Sequence, residues 1–170
     1  MTRVFLGLGA NIGNREANLR QALRSLEGAG HVVAVSSLYQ SGAVVLDDAD
    51  HGPDFLNAVC EIETELAPLE LLRFVKAIEQ EIGRRPGPRW APRPIDIDLL
   101  LYGGEIVDEE GLIIPHGLMA ERNFVLLPLA ELAPEVEHPV LRQTIDELAE
   151  DADFTGLHHL SGPEWAADPV

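Results

Sequence analysis

The chain has 170 residues, 46% apolar and 24% charged, with a net charge of −17, which describes one soluble globular domain able to bury a real core. The acidity excludes nucleic acid and anionic membrane as broad partners, and the single Cys60 excludes an internal disulfide and a cysteine metal cluster. No apolar run reaches the ~18 residues of a membrane span, and the apolar start is too short and glycine-rich for a signal peptide, so a cytoplasmic protein is expected.

Residues 4–8 read as a short apolar strand, with "GANIGN" following as a loop. Asn14 is placed to cap a helix on which Leu19, Ala22, Leu23 and Leu26 recur at helical spacing, ending at Gly28 and Gly30. "HVVAVSSLYQ" reads as one strand, 41–54 as a long loop, and "FLNAVCEIET" as the next strand, with Cys60 a small buried thiol. Pro68 fits the first turn of a helix whose stripe is Leu71, Leu72, Val75, Ile78 and Ile82, stopped by Gly83. A second long loop, 84–94, precedes a strand over 95–102. "EIVDEEGLIIPHG" holds two short strand-like pieces, followed by a short helix around Arg122, a segment near 126–132 and a final helix over 144–150. The Pro/Gly-rich end reads as a loose tail, giving one domain over 1–157 and a flexible tail over 158–170. The order β, α, β, β, α, β predicts an α+β sandwich, a mainly antiparallel sheet with helices packed on it.

Asp96 and Asp98 stand out, because residues two apart on a strand share a face. They fit either of two arrangements: a pair of ligands for hard cations such as Mg²⁺, or two carboxylates each matched by an arginine such as Arg89 or Arg93. Four of the twelve basic residues, Arg84, Arg85, Arg89 and Arg93, crowd the loop just before that strand. Arginine forks suit phosphate oxygens, so arginines beside a cation site in a Pro/Gly loop point to phosphoryl transfer. Gly7, Gly9 and Gly13 miss the dinucleotide fingerprint by one residue, and no Gly-Lys-Ser/Thr follows, so they read as a tight strand-to-helix turn. His116 is either structural or a donor to a phosphoryl oxygen, and Phe55 and Phe124 are core by default.

"RWAPRPIDIDLLLYG" closely resembles the signature of the 6-hydroxymethyl-7,8-dihydropterin pyrophosphokinases of folate biosynthesis. "GLGANIGN", "PDFLNAV", "IEQEIGR" and "IIPHGLMAERNFVLLPLAELAP" follow the same family in the same order, over about residues 1 to 150. The resemblance implies a ferredoxin-like sandwich and transfer of diphosphate from ATP to the hydroxymethyl group of the pterin, leaving AMP; a monomer is the expectation for the chain. It implies that Asp96 and Asp98 hold two Mg²⁺ ions and that Arg89 and Arg93 act on the transferred group. It places Glu79, Arg84, Ile97, His116 and Arg122 on the ATP side. Asn57 then hydrogen-bonds the pterin, Phe55 and Phe124 sandwich it, and Trp90 and Asp96 lie against it.

The chain departs from the family pattern in places. "SGAVV" stands where relatives carry Thr-Pro-Pro, Phe55 lacks a tyrosine hydroxyl, the arginine loop is a residue short, and the end of the chain has no counterpart. Two rival readings remain: another Mg²⁺-dependent phosphotransferase with a different acceptor, and a non-catalytic ligand-sensing module.

Overall fold

The computed structural model describes residues 1–42, 54–83 and 94–167. Three long strands form its centre: β1 (Thr2–Ala10), β4 (Phe55–Thr64) and β5 (Asp96–Tyr102). β1 lies between the other two and is antiparallel to both. On the far side of β4 run β2 (Gly30–Val35) and β3 (Leu38–Ser41), pairing with successive halves of that one strand. The sequence reads β2 and β3 as a single strand. The break falls at Ser36, whose hydroxyl accepts from the Val59 amide at 2.9 Å and donates to the Ser37 carbonyl at 2.8 Å. A local side-chain bond of this kind competes with the ladder and bends the strand.

Helices α1 (Arg15–Leu26) and α2 (Pro68–Ile82) connect the strands, completing the βαββαβ order of a ferredoxin-like sandwich. Asn14 caps α1 by accepting from the Ala17 amide, and Leu19, Ala22, Leu23 and Leu26 are buried as their spacing predicts. α2 buries Leu71, Val75 and Ile78. Both helices pack on the sheet face made by Leu6 and Leu8 of β1, Leu56, Ala58 and Cys60 of β4, and Ile97 and Leu99 of β5. Burial pushes the Cys60 thiol up to about 12, which leaves it an inert core side chain.

The alternate positions face the other way, as a pleated strand requires. Phe5, Val59 and Leu100 form a second core with α3 (Asn123–Leu132) and α4 (Ile145–Glu150). A small hairpin, β6 (Val107–Glu109) and β7 (Leu112–Ile114), and a short 3-10 turn at Met119–Glu121 link β5 to α3. No helix among the described residues is long and apolar enough to cross a membrane.

The end of the chain departs from the expected loose tail. Residues His158–Ser161 form β8, antiparallel to β3, and Pro163–Ala166 form a 3-10 turn. Trp165 enters the core beside α1, 4% exposed, and its indole N–H donates to the Ser36 carbonyl at 2.8 Å. The Arg20 guanidinium donates to the Trp165 carbonyl at 3.2 Å. One large apolar side chain with a hydrogen-bond partner orders a segment whose polar, Pro/Gly-rich composition reads as disordered.

Candidate active site

The second sheet face is only partly covered by α3 and α4. Its other part is set by strand register. Gly9 of β1 pairs with Asp96 of β5 on one side and Asn57 of β4 on the other, and Asn57 pairs in turn with Tyr39 of β3. One step along, Gly7 lies between Asp98 and Val59. Cross-strand partners project to the same side, so Asp96, Asp98, Asn57 and Phe55 rise from one face across a central strand that contributes no side chain there. The sequence reads Gly7 and Gly9 as a turn, but both lie inside β1 and are partly exposed. A Cβ at Gly9 would sit 3.6 Å from Asn57 Oδ1 and from a Phe55 ring carbon. The missing side chains open a shallow trough between the aspartates and the Asn57–Phe55 pair. Two glycines at i and i+2 in an apolar run are the signal that finds it.

Each wall of the trough is held by named contacts. Glu79 is 2% exposed, and its Oε2 accepts from the Ile97 amide at 2.8 Å, with Lys76 Nζ 3.7 Å from its other oxygen. Expected on the nucleotide side, Glu79 thus anchors the backbone between the two aspartates. The Ile97 side chain itself points to the opposite core. Asn18 donates to the Pro94 carbonyl at 3.1 Å, fixing the entry to β5. At the other wall, Arg15 donates to the Asp54 carbonyl at 2.6 Å and Gln40 to the Asp54 carboxylate at 2.7 Å, which fixes the start of β4. Tyr39 closes the row, its hydroxyl bonded to Glu131 of α3. Burial first, then the Glu131 carboxylate, push its phenol above the ordinary range, so it stays neutral.

Asp98 faces two cationic or donor groups. His116 Nε2 lies 3.9 Å and Arg122 Nη1 3.7 Å from its Oδ2. His116 Nδ1 accepts from the Leu118 amide at 3.1 Å, so the neutral ring carries its proton on Nε2, the nitrogen turned to Asp98. The His116 amide donates to the Leu100 carbonyl at 3.0 Å, tying this corner to β5. Arg122 also stands over the Phe124 ring, 5.6 Å from its centroid, at the start of α3.

The fold thus brings together Asp98, His116 and Arg122, and separately Asp96, Asn57 and Phe55 in adjacent register. Phe124 is half-buried beside Arg122 and packs on the second core. Arg84, Arg85, Arg89, Trp90 and Arg93 lie outside the described residues, as does most of the 41–54 loop. Among the described residues no three His, Cys, Asp or Glu side chains form a metal cage. The two carboxylates, both oxygen donors on one open face, nevertheless fit a hard cation. Of the residues that matter here, sequence reasoning missed Gly7, Gly9, Asn18 and Ser41; Ser41 accepts from Asn57 Nδ2 at 2.7 Å.

Comparison with known proteins gives consistent matches. Residues 5–134 match the profile of 7,8-dihydro-6-hydroxymethylpterin-pyrophosphokinase. The chain is 38% identical over 147 residues to the 2-amino-4-hydroxy-6-hydroxymethyldihydropteridine pyrophosphokinase of Aquifex aeolicus, covering 86% of this chain and 90% of that protein. It is 43% identical over 145 residues to the Bacillus subtilis protein of the same name, covering 84% and 85%. The fold is shared with the crystal structure of a Plasmodium falciparum HPPK-DHPS triple mutant, with TM-score 0.70 and 19% identity. That match covers 88% of this chain and 44% of the longer Plasmodium chain.

Proposed function

The chain belongs to the 7,8-dihydro-6-hydroxymethylpterin-pyrophosphokinase family, diphosphotransferases of folate biosynthesis, and on that premise we propose which donor, acceptor and metal it uses. ATP is the donor, 6-hydroxymethyl-7,8-dihydropterin the acceptor, and Mg²⁺ the metal. The observation that carries this reading is the trough: two carboxylates on one side of a bare glycine strand, an amide and a flat ring on the other. A polyphosphate fits the first side and a planar hydrogen-bonding heterocycle the second.

In the reaction the pterin hydroxymethyl oxygen forms a bond to the β-phosphorus of ATP. The bond from that phosphorus to the α,β-bridging oxygen breaks, AMP leaves with the electron pair, and the hydroxyl proton is released. Little covalent work falls to the protein, whose task is alignment and charge compensation. Asp96 and Asp98 would hold two Mg²⁺ ions, which when bound neutralise charge on the transferring group. His116 and Arg122, already gathered beside Asp98, supply donors to phosphate oxygens. Arg84, Arg89 and Arg93 supply further cations in a chain whose net charge otherwise repels ATP. Phe55 and Phe124 supply ring faces and Asn57 hydrogen bonds for the pterin; Trp90 completes that side.

The test is to incubate the protein with ATP, hydroxymethyldihydropterin and Mg²⁺ and separate the nucleotides. AMP should form only when all three are present. ADP would identify transfer of a single phosphoryl group and refute the reading. AMP formed at full rate in a chelator would refute the metal assignment.

A further inference from the structure

Asn57 is 4% exposed, so its amide is not free to sample orientations in water. Its two ends have nearly the same shape and opposite hydrogen-bonding character. What chooses between them is the surroundings. Asn57 Nδ2 lies 2.7 Å from Ser41 Oγ and 3.5 Å from the Phe55 carbonyl oxygen. The Phe55 carbonyl can only accept, so the end turned toward it must be the NH₂ end. The Ser41 hydroxyl can donate or accept, so its short bond holds the amide in place while the Phe55 carbonyl sets which end faces it. The other end, Oδ1, is turned toward the space above Gly9, where a Cβ would come within 3.6 Å of it. That space is the trough.

The backbone supports this arrangement. Ser41 pairs with Phe55 and Tyr39 with Asn57, so all four side chains rise on the same face. β3, which carries Ser41, is held between β4 and β8, with Gln40 opposite His158 and Tyr39 opposite His159. Its position is therefore fixed from both sides.

We propose that Ser41 is a positioning residue: its hydroxyl anchors the Asn57 amide beside the Phe55 carbonyl, which accepts only from the NH₂ end, so that the Asn57 carbonyl oxygen is presented over Gly9 to an N–H donor of the pterin. This rests on the reading of Asn57 as a pterin contact and adds to it the group that anchors its amide. Without the hydroxyl, the amide is held only by the long Phe55 contact, and it can turn its carbonyl oxygen away from the ligand. A ligand N–H then loses its acceptor, an effect on the order of one hydrogen bond, or about tenfold in affinity.

The experiment is a double-mutant cycle read by binding of 6-hydroxymethylpterin, followed through its own fluorescence, in the wild type, S41A, N57A and S41A/N57A, with S41T as the conservative variant. S41A should weaken pterin binding about tenfold and leave the ATP KM unchanged. S41T, which keeps the hydroxyl, should restore affinity to within about twofold, and adding S41A to N57A should change nothing further. Equal loss from S41A in both backgrounds, unchanged affinity in S41A, or failure of S41T to restore it would each overturn the proposal. Full pterin binding by N57A would instead overturn the reading of Asn57, and the proposal with it. Thermal melts of all five proteins separate these outcomes from misfolding.

Discussion

Asp98→Asn keeps the shape of the side chain and removes one charge. The structure sets the stability cost. The Arg122 and His116 nitrogens stand 3.7 and 3.9 Å from the carboxylate, beyond hydrogen-bond distance, and the side chains keep between 23% and 30% of their exposure. Ion pairs screened by water in this way contribute about 0–1 kcal/mol, so loss of these two contacts should cost about 1 kcal/mol or less. In a domain of this size that lowers Tm by roughly 2–4 °C. The catalytic cost is of another order. If Asp98 holds a cation against the transferring group, its loss removes several kcal/mol of transition-state stabilisation, about a thousandfold or more in kcat. A thermal melt beside steady-state kinetics over a Mg²⁺ titration reads both quantities. A Tm depressed by more than about 10 °C, with near-normal specific activity in the folded fraction, would mean that Asp98 is a structural anchor and refute the argument.

Four further outcomes follow from the same geometry. Glu79→Ala leaves the buried Ile97 amide without its acceptor and should cost about 2–3 kcal/mol in a urea melt, with Glu79→Gln losing less; equal stability of all three would show the bond to be idle. Gly9→Ala meets only ordinary contacts at 3.6 Å, so the fold should be unharmed or up to ~1 kcal/mol more stable, while pterin affinity falls because a methyl fills the trough; undiminished affinity would place the ligand elsewhere. Trp165→Ala should cost about 3–5 kcal/mol and strand the Ser36 carbonyl, and a loss under about 1 kcal/mol would mean that the C-terminal strap is not part of the folded core. Burial holds the His138 pKa below its ordinary ~6.5, and its neutral Nδ1 accepts from the Val140 and Leu141 amides. The unfolded chain therefore takes up the proton first: this contribution is complete above about pH 6.5 and is lost as pH falls below it. His138→Asn should flatten that part of the stability curve, as followed by chemical melts at stepped pH.

Much of this was legible in the sequence where local physics decides. Asn14 and the Leu19–Leu26 spacing define α1, Pro68 and Gly83 bound α2, and the alternation around Ile97 puts Asp96 and Asp98 on one face, because capping, φ restriction and pleat act within a few residues. Gly7 and Gly9 read as a turn because glycine marks turns far more often than it marks a strand with a bare face. Residues 158–170 read as a tail because composition describes the average of a stretch, and within it a single anchor, Trp165, orders the part that the structure describes. His116 stood between two readings because its approach to Asp98 depends on β5, β7 and the Met119–Glu121 turn folding together, which no spacing encodes. The Ser41–Asn57 bond is likewise a product of strand register. The arginines of the loop before β5 stand out by their charge, their place beside Asp96 and Asp98 and the family motif, and residues 84–93 lie outside the described part of the structure.

In the proposed reaction the β- and γ-phosphoryl groups of ATP travel together. The most direct measurement supplies ATP labelled in separate reactions at the β- and at the γ-phosphorus, with hydroxymethyldihydropterin and Mg²⁺, and counts label in the isolated pterin product and in the nucleotide. Both labels should appear in the pterin in equal molar amount, with the remaining nucleotide unlabelled AMP. Label from the γ-position alone in the pterin, with the β-label retained in ADP, would contradict it.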